Sequence, residues 1–415
     1  MSTPAPATSP LASAPGFFAG PLLANPYPLY ATLRASNPVF TVPVPADVGA
    51  GVFLLTRHAD VQASLRDVRL SADRRRADAI ARNRAILPRQ FLGEDSVLRS
   101  MLMMDAPDHT RVRSLVNKAF TPRRVAELRP RIEAIAKDLL SAPAAAGRMD
   151  VIGDLGAPLP AIVIAELLGV PPEDHPKFRA WAAQIVATPA AIASGAASDA
   201  FEKGFESLSG YLRGVIAARR REPRNDLISA LVAAQEDRDA LTDGELLATA
   251  ILLLLAGHET TTNLIGNGTL ALLQHPDELA RLRAEPELLK SAIEEMLRFD
   301  SPVQATLRAA TEPVEFGGVT LDKGALVICG IGAANRDPAA FEEPDRFDVA
   351  RRDNRHLSFG FGAHFCLGAP LARLEGEIAF RALLEQFPTL ALSGAPITHR
   401  PNPILRGLQS LEVYA

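Results

Sequence analysis

Phe359-Gly360-Phe361-Gly362-Ala363-His364-Phe365-Cys366-Leu367-Gly368 leads directly into a helix-like run, Ala369-Pro370-Leu371-Ala372-Arg373-Leu374-Glu375-Gly376-Glu377-Ile378. A cysteine at the mouth of a helix meets the positive end of the macrodipole and free backbone N–H groups, and both favour thiolate over thiol. Gly360, Gly362 and Gly368 allow sharp turns and a close approach to a flat macrocycle, where a side chain would collide. A thiolate presented in this way suits the axial position of a macrocycle-bound iron. The alternative is a buried structural cysteine, the usual fate of a lone intracellular cysteine. Three glycines and a histidine crowded around it argue against that alternative.

Composition sets the frame. The chain has 415 residues, 47% hydrophobic and 22% charged, which provides for a large core. Length alone suggests two or three domains. A net charge of −4 makes no case for a nucleic-acid partner. Two cysteines, Cys329 and Cys366, argue against a disulfide framework and suit a reducing cytosol. Cys329 lies in a strand-like stretch, Ala325 to Ile331, and reads as core. The N-terminus lacks the basic and apolar regions of a signal peptide. The apolar run from Leu246 to Gly257 is about 12 residues, too short to span a bilayer. A soluble, cytoplasmic protein without a membrane anchor is expected.

Along the chain, residues 1–25 are rich in Pro, Ala and Ser and read as a flexible tail, leaving 26–415 as one domain. Strand signals lie at Val39 to Pro43 and Gly51 to Thr56. Residues 100–300 are mostly helical in pattern, and short strands return between Glu312 and Cys329, where Phe316-Gly317-Gly318-Val319 marks a hairpin. Ala187 to Ala200, small and uncharged until Asp199, is a candidate lid or an ordinary surface loop. No internal repeat or linker divides the chain. The expected class is mainly α with small β-sheets (α+β), a single α-rich domain.

Thr242-Asp243-Gly244-Glu245 is a capping box. The helix it opens can run to Gln274, roughly 48 Å at the α-helical rise. Its first half is apolar on every face and therefore buried all round. Then comes Ala256-Gly257-His258-Glu259-Thr260-Thr261-Thr262-Asn263. Polar residues in mid-core are costly unless paired or used in chemistry. Ala256 and Gly257 weaken the helix where a kink could open space, and threonine can bond back one turn. Emergence at the surface is the other reading, but apolar residues resume at Leu264. A hydroxyl beside a carboxylate in such a groove can deliver protons to a reacting oxygen.

Glu295 and Arg298 share one helical face; alone, that spacing also describes a solvated surface pair. A macrocycle bearing two carboxylates calls for cationic partners, arginine above all. Candidates are His109 and Arg113, four apart on a helix, with Arg308 and His364. Each alone reads equally as a surface residue.

In four ordered motifs the chain resembles the cytochrome P450 family, most closely its soluble bacterial branch, from about Asn25 to the end. These are Ala256 to Thr261, Glu295 to Arg298, Asn335 to Pro338 with Pro344 to Phe347, and the cysteine loop. The resemblance implies the cytochrome P450 fold, with haem b between the long helix and the cysteine loop. Cys366 would be the axial iron ligand, with Phe359, Gly360 and Gly368 framing the haem. Glu259 and Thr260 would be the catalytic acid–alcohol pair, with Ala256 and Gly257 as the oxygen groove. Glu295, Arg298 and Arg346 would form a structural triad. His109, Arg113, Arg308 and His364 would hold the propionates. The implied activity is monooxygenation: one atom of O2 enters a C–H bond by hydroxylation or epoxidation.

No further domain has room for flavin or an iron–sulfur cluster, so electrons are expected from NAD(P)H through a ferredoxin and its reductase. Arg123, Arg124 and Arg373 read as a basic docking surface or as merely solvated charge. Rival functions are a peroxide-driven peroxygenase, against which the acid–alcohol pair argues, and a non-catalytic haem sensor. Leu252, Leu255, Ala256, Val303, Ala305 and Thr306 are expected pocket walls, with parts of 75–100 and 175–205. A hydrophobic small molecule follows: a terpenoid, steroid, fatty acid, macrolide or drug-like compound. The arginines at 74–76, 82, 84 and 89 either attract a substrate carboxylate or form a solvated face. A monomer is expected.

Overall fold

Thr242 opens the long helix as its sequence predicts. Its hydroxyl accepts from the Glu245 N–H at 3.2 Å, and its own N–H donates to the Glu245 carboxylate at 2.8 Å. The helix then runs unbroken from Asp243 to Gln274 and stops where His275 precedes Pro276, which begins the next helix. The structure is a computed structural model that describes residues 21–44, 49–82, 100–186, 198–235 and 241–414.

This helix is the axis of the molecule. Helices Pro158–Leu167, Ser198–Arg221, Leu289–Phe299 and Ala369–Gln386 pack against it. Both its ends are buried, with Leu246 to Ile251 and Thr261 to Leu272 inaccessible. Its middle is more open, along a stripe marked by half-buried Leu252, exposed Ala256 and half-buried Thr260. Those three lie i, i+4, i+8, one face of a helix. A helix apolar all round has been opened on one side at its midpoint, and that opening is where a cofactor cavity can lie.

The sheets are small and peripheral. Strands β1 (Val39–Thr41), β2 (Val52–Leu55), β3 (Leu70–Ser71), β5 (Thr306–Ala310) and β8 (Leu326–Cys329) form one sheet in the order β1-β2-β8-β5-β3. Only β2 and β8 run parallel, and Thr306 lies opposite Cys329 on neighbouring β5 and β8. This sheet carries Arg308 inward. Strands β6 (Val314–Phe316) and β7 (Val319–Leu321) form the expected hairpin. Its turn needs glycine, since Gly317 and Gly318 have φ of 54° and 79°. Strands β4 (Arg148–Asp150), β9 (Ala391–Leu392) and β10 (Glu412–Tyr414) tie the chain's end to its middle. The C-terminal segment also docks on the long helix: a Cβ at Gly407 would fall 1.8 Å from Asn263 Oδ1.

One expected boundary moves. Pro21–Ala24, inside the predicted tail, is a helical turn. Arg406 holds it, donating to the Leu23 and Ala24 carbonyls at 2.8 and 2.9 Å while pairing with Asp300 at 2.6 Å. Residues 1–20 of the tail, the candidate lid up to residue 197, and Arg84 and Arg89 lie outside the described residues.

Candidate active site

Cys366 sits between the short helix Gly362–His364 and the helix beginning at Ala369. Its N–H donates to the Phe359 carbonyl at 2.8 Å, closing the loop. Gly360 and Gly362 have φ of 71° and 72°, which favours glycine at both positions. A Cβ at Gly368 would lie 3.9 Å from the sulfur, an ordinary contact. The expected thiolate preference is corrected in one respect. Burial pushes the Cys366 thiol up, and the Gly368 and Ala369 N–H groups with Arg113 and Arg373 only partly oppose it. Coordination to a metal cation would supply the missing drive, because a bound cation deprotonates its thiol ligand.

The four candidate basic side chains, from three separate parts of the chain, converge. His109 and Arg113 come from helix Asp108–Ala119, Arg308 from β5 and His364 from the cysteine loop. The His109 and His364 rings lie 4.1 Å apart. Arg113 donates to the Phe365 carbonyl at 2.6 Å and Arg308 to the Leu307 carbonyl at 2.9 Å. A fifth basic side chain, missed as a site residue in the sequence, joins them. Arg75 and Arg76 pair with Asp73, whereas Arg74 turns inward beside Arg308. Burial and that neighbour lower Arg74 to about 10. His364 falls to about 3, through burial first and then His109, Arg308, Arg113 and Arg74.

Among the described residues none of these five makes an ion pair, and His109 Nε2 and Arg74 Nε are buried without partners. Asp105, the nearby acid, is turned to the Ser71 hydroxyl and the Ala72 N–H. A cluster of three arginines and two histidines, with two orphaned nitrogens and no acid partner, fits a ligand bearing two carboxylates. Together with the thiol, the residues fit haem.

On the long helix, Thr260 donates to the Ala256 carbonyl at 2.8 Å, the back-bond expected of it. Glu259 is 4% exposed and accepts from Arg400 at 2.7 Å. The acid and the alcohol therefore have separate partners rather than each other. A Cβ at Gly257 would touch only Ile164, at 3.5 Å, so packing alone does not demand glycine there. Glu375, on the helix after Cys366, is also buried, and burial raises it to about 8 against a bond from Thr261.

Beneath this region, Arg298 and Glu295 are fully buried and joined twice, at 2.7 and 2.8 Å. The expected third member is corrected. Arg346 points its guanidinium at Glu343 and offers Arg298 only its carbonyl. Arg351 instead reaches Glu295 at 3.0 Å. Arg298 also donates to the Asn335 and Pro344 carbonyls, fastening the two middle motifs together. Arg373 is engaged as well: it grips Glu294 through two bonds and lies 4.5 Å over the Phe359 ring. Arg123 pairs with Glu127.

Leu252, Leu255 and Ala256 line the open side of the long helix, and Val303 and Thr306 are half-buried nearby in sequence to Arg308. Ala305 is 8% exposed and belongs to a pocket at the N-terminal helix, described below. Arg74, Arg351, Arg400 and Glu375 are the residues that sequence reasoning missed. Arg74 had a signal in its triple-arginine run. The pairing of Glu259 with Arg400, 141 residues away, had none.

A cysteine loop beside a cluster of basic side chains, with an interior helix opened at its centre, defines a haem-thiolate protein. The chain belongs to the cytochrome P450 family. The family model described as Cytochrome P450 matches residues 193–408. Cytochrome P450 107B1 of Saccharopolyspora erythraea is 46% identical over 369 residues, 88% of this chain and 89% of that one. The vitamin D(3) 25-hydroxylase of Pseudonocardia autotrophica is 44% identical over 400 residues, 95% of each. The solved structure of myxobacterial cytochrome P450 CYP267B1 in complex with myristic acid superposes with a TM-score of 0.86 at 40% identity, covering 97% of this chain and 99% of that one. The protein is thus a haem b monooxygenase that uses O2. Among the described residues no helix is long and apolar enough to cross a membrane.

Proposed function

We propose that Cys366 is the axial ligand of haem b and that His109, Arg113, Arg308, His364 and Arg74 hold its propionates. The carrying observation is the set of three arginines and two histidines, none with an acid partner among the described residues, gathered beside that thiol with His109 Nε2 and Arg74 Nε left unpaired. When bound, haem supplies the reductive activation of O2 and its insertion into a C–H bond. The reaction is R–H + O2 + two electrons + two protons → R–OH + H2O. The chain's own residues orient, exclude water and move protons. Leu252, Leu255 and Ala256 present an apolar wall that selects a hydrophobic substrate. The Thr260 hydroxyl, oriented by the Ala256 carbonyl, directs a proton within the groove, and the Glu259 carboxylate resupplies it.

The substrate class is a hydrophobic small molecule of steroid, fatty-acid or macrolide size. The name of the vitamin D(3) hydroxylase and the myristic acid bound to CYP267B1 support that range. Electrons come from a separate ferredoxin and its NAD(P)H-dependent reductase in the cytoplasm. A groove lined by Pro122, Val125, Arg129, Lys290, Pro370 and Leu374, on the cysteine side of the molecule, supports docking there. Its basic side chains are Arg129, Lys290 and Arg373, of which Arg129 pairs with Glu377 and Arg373 with Glu294.

The test is the ferrous carbonyl spectrum of purified holoenzyme. Wild type should show thiolate ligation, and Cys366→Ser should lose it together with NAD(P)H-driven product formation. A thiolate spectrum in Cys366→Ser would overturn the ligand assignment. Product formation with peroxide alone, at the rate given by the electron-transfer proteins, would overturn the need for a ferredoxin.

A further inference from the structure

Arg400 lies in the C-terminal segment, its N–H donating to the Gly407 carbonyl at 2.9 Å. Its side chain is 31% exposed, while the Glu259 carboxylate it meets is 6% exposed. One side of Arg400 therefore touches the buried acid, and the other lines a pocket against the N-terminal helix Tyr27–Ser36. Leu29, Tyr30, Leu54 and Ile328 wall this pocket, and it offers about 50 Å³ to water centres. A water needs roughly 10–15 Å³ on that measure, together with polar partners.

Two such partners are present and unsatisfied. Gln304 is 3% exposed and donates through Nε2 to the Ser301 carbonyl and the Tyr27 hydroxyl, which leaves Oε1 buried and bare. Its amide has little freedom, because a Cβ on adjoining Gly332 would lie 2.2 Å from Oε1. His399 Nε2 is likewise buried and without a partner. Burial, followed by Arg406, lowers that imidazole to about 4, so it is neutral near pH 7 and can accept or donate one bond. Room, orphaned acceptors and an arginine at the inner wall together describe a hydrated antechamber one side chain away from Glu259.

We infer that Arg400 is the positioning residue for Glu259, and that the pocket on its far side is the water-filled route by which protons from solvent reach that acid. The inference rests on the proposed role of Glu259 and Thr260 in proton supply. It adds a residue, a tether and an entrance. With the tether, the carboxylate is held at the boundary between pocket and groove. Without it, the carboxylate rotates freely and the chain of donors is broken.

The experiment uses holoenzyme with a plant-type ferredoxin and its reductase at saturating concentration. Oxygen consumption without substrate is followed in H2O and in D2O, so no substrate need be known. Glu259→Gln should slow consumption and enlarge the solvent isotope effect. If it does neither, the proposed proton role fails, whatever Arg400 does. Given that control, Arg400→Gln should slow consumption about tenfold or more, the usual cost of a misplaced catalytic group. It should add nothing in the Glu259→Gln background, and Arg400→Lys should recover most of the rate. Leu29→Trp fills the outer pocket without touching the ion pair and should also raise the isotope effect. Melting temperature and the ferrous carbonyl spectrum, unchanged, separate these effects from misfolding. Wild-type rates in Arg400→Gln, or losses that add to those of Glu259→Gln, would overturn the positioning role. A wild-type isotope effect in Leu29→Trp would overturn the route. Should Arg400→Gln fail to load haem, Arg400→Lys and Leu29→Trp decide the question on the same readouts.

Discussion

Replacing Glu375 by glutamine should stabilise the protein increasingly as pH rises from about 4.5 to about 8 and leave it unchanged in acid below that window. Glu375 is 2% exposed, and burial raises its carboxyl from 4.5 to about 8 despite the Thr261 hydroxyl. Between those two values the folded chain keeps a proton that the unfolded chain has lost. Stability therefore falls as pH rises across the window, by about 1.4 kcal/mol per unit. The full span, from 4.5 to about 8, amounts to roughly 5 kcal/mol. Glutamine has the shape of the protonated acid and does not titrate, so the variant escapes this loss. Urea unfolding of holoenzyme and variant at about pH 5.5 and about pH 7.5 should show the difference between them widening by roughly 2.7 kcal/mol in favour of the glutamine form. A difference that stays constant within about 0.5 kcal/mol, or one that widens towards acid, would show that Glu375 is ionised in the folded protein.

Thr260→Ala should retain haem loading and substrate-induced spectral change but divert electrons to hydrogen peroxide, lowering product per NAD(P)H; unchanged coupling would remove Thr260 from proton delivery. Arg351→Ala should lower stability by about 3 kcal/mol by leaving a fully buried carboxylate short of a partner, whereas Arg346→Ala, losing an exposed pair, should stay within about 0.5 kcal/mol. Equal losses in denaturant midpoint would restore Arg346 to the buried triad. Arg74→Gln should speed haem transfer to apomyoglobin roughly tenfold or more, the worth of one charge-assisted bond to a carboxylate. An unchanged transfer rate would return Arg74 to a structural or substrate-side role.

Local chemistry and order along the chain were readable directly. The cysteine loop, the capping box at Thr242, the hairpin at Gly317 and Gly318 and the polar interruption at Glu259 each declare themselves within ten residues or so, because dihedral limits, caps and periodicity act over one or two turns. They were enough to expect the family and its α-rich fold. The choice among charged side chains was not readable, because ion pairing depends on which distant elements meet. Arg346 and Arg351 sit five apart with equal claims on Glu295, and only the packing of their loop turns one toward the buried carboxylate and the other toward Glu343. Three consecutive arginines at 74–76 look alike in sequence, yet Asp73 holds two of them outside while the third is drawn in. Arg373 likewise looked free until the helix bearing Glu294 was laid beside it.

What the sequence determined by itself was the reactive vocabulary: one cysteine able to ligate, one acid beside one alcohol, and a helix too apolar to lie anywhere but inside. Tertiary structure alone decided the partners. It brought Arg400 to Glu259 across the chain, gathered three arginines and two histidines beside one cysteine and left Glu375 without a counter-charge. Burial is a property of the whole packed molecule, and it is burial that converts a nearby charge into a strong one.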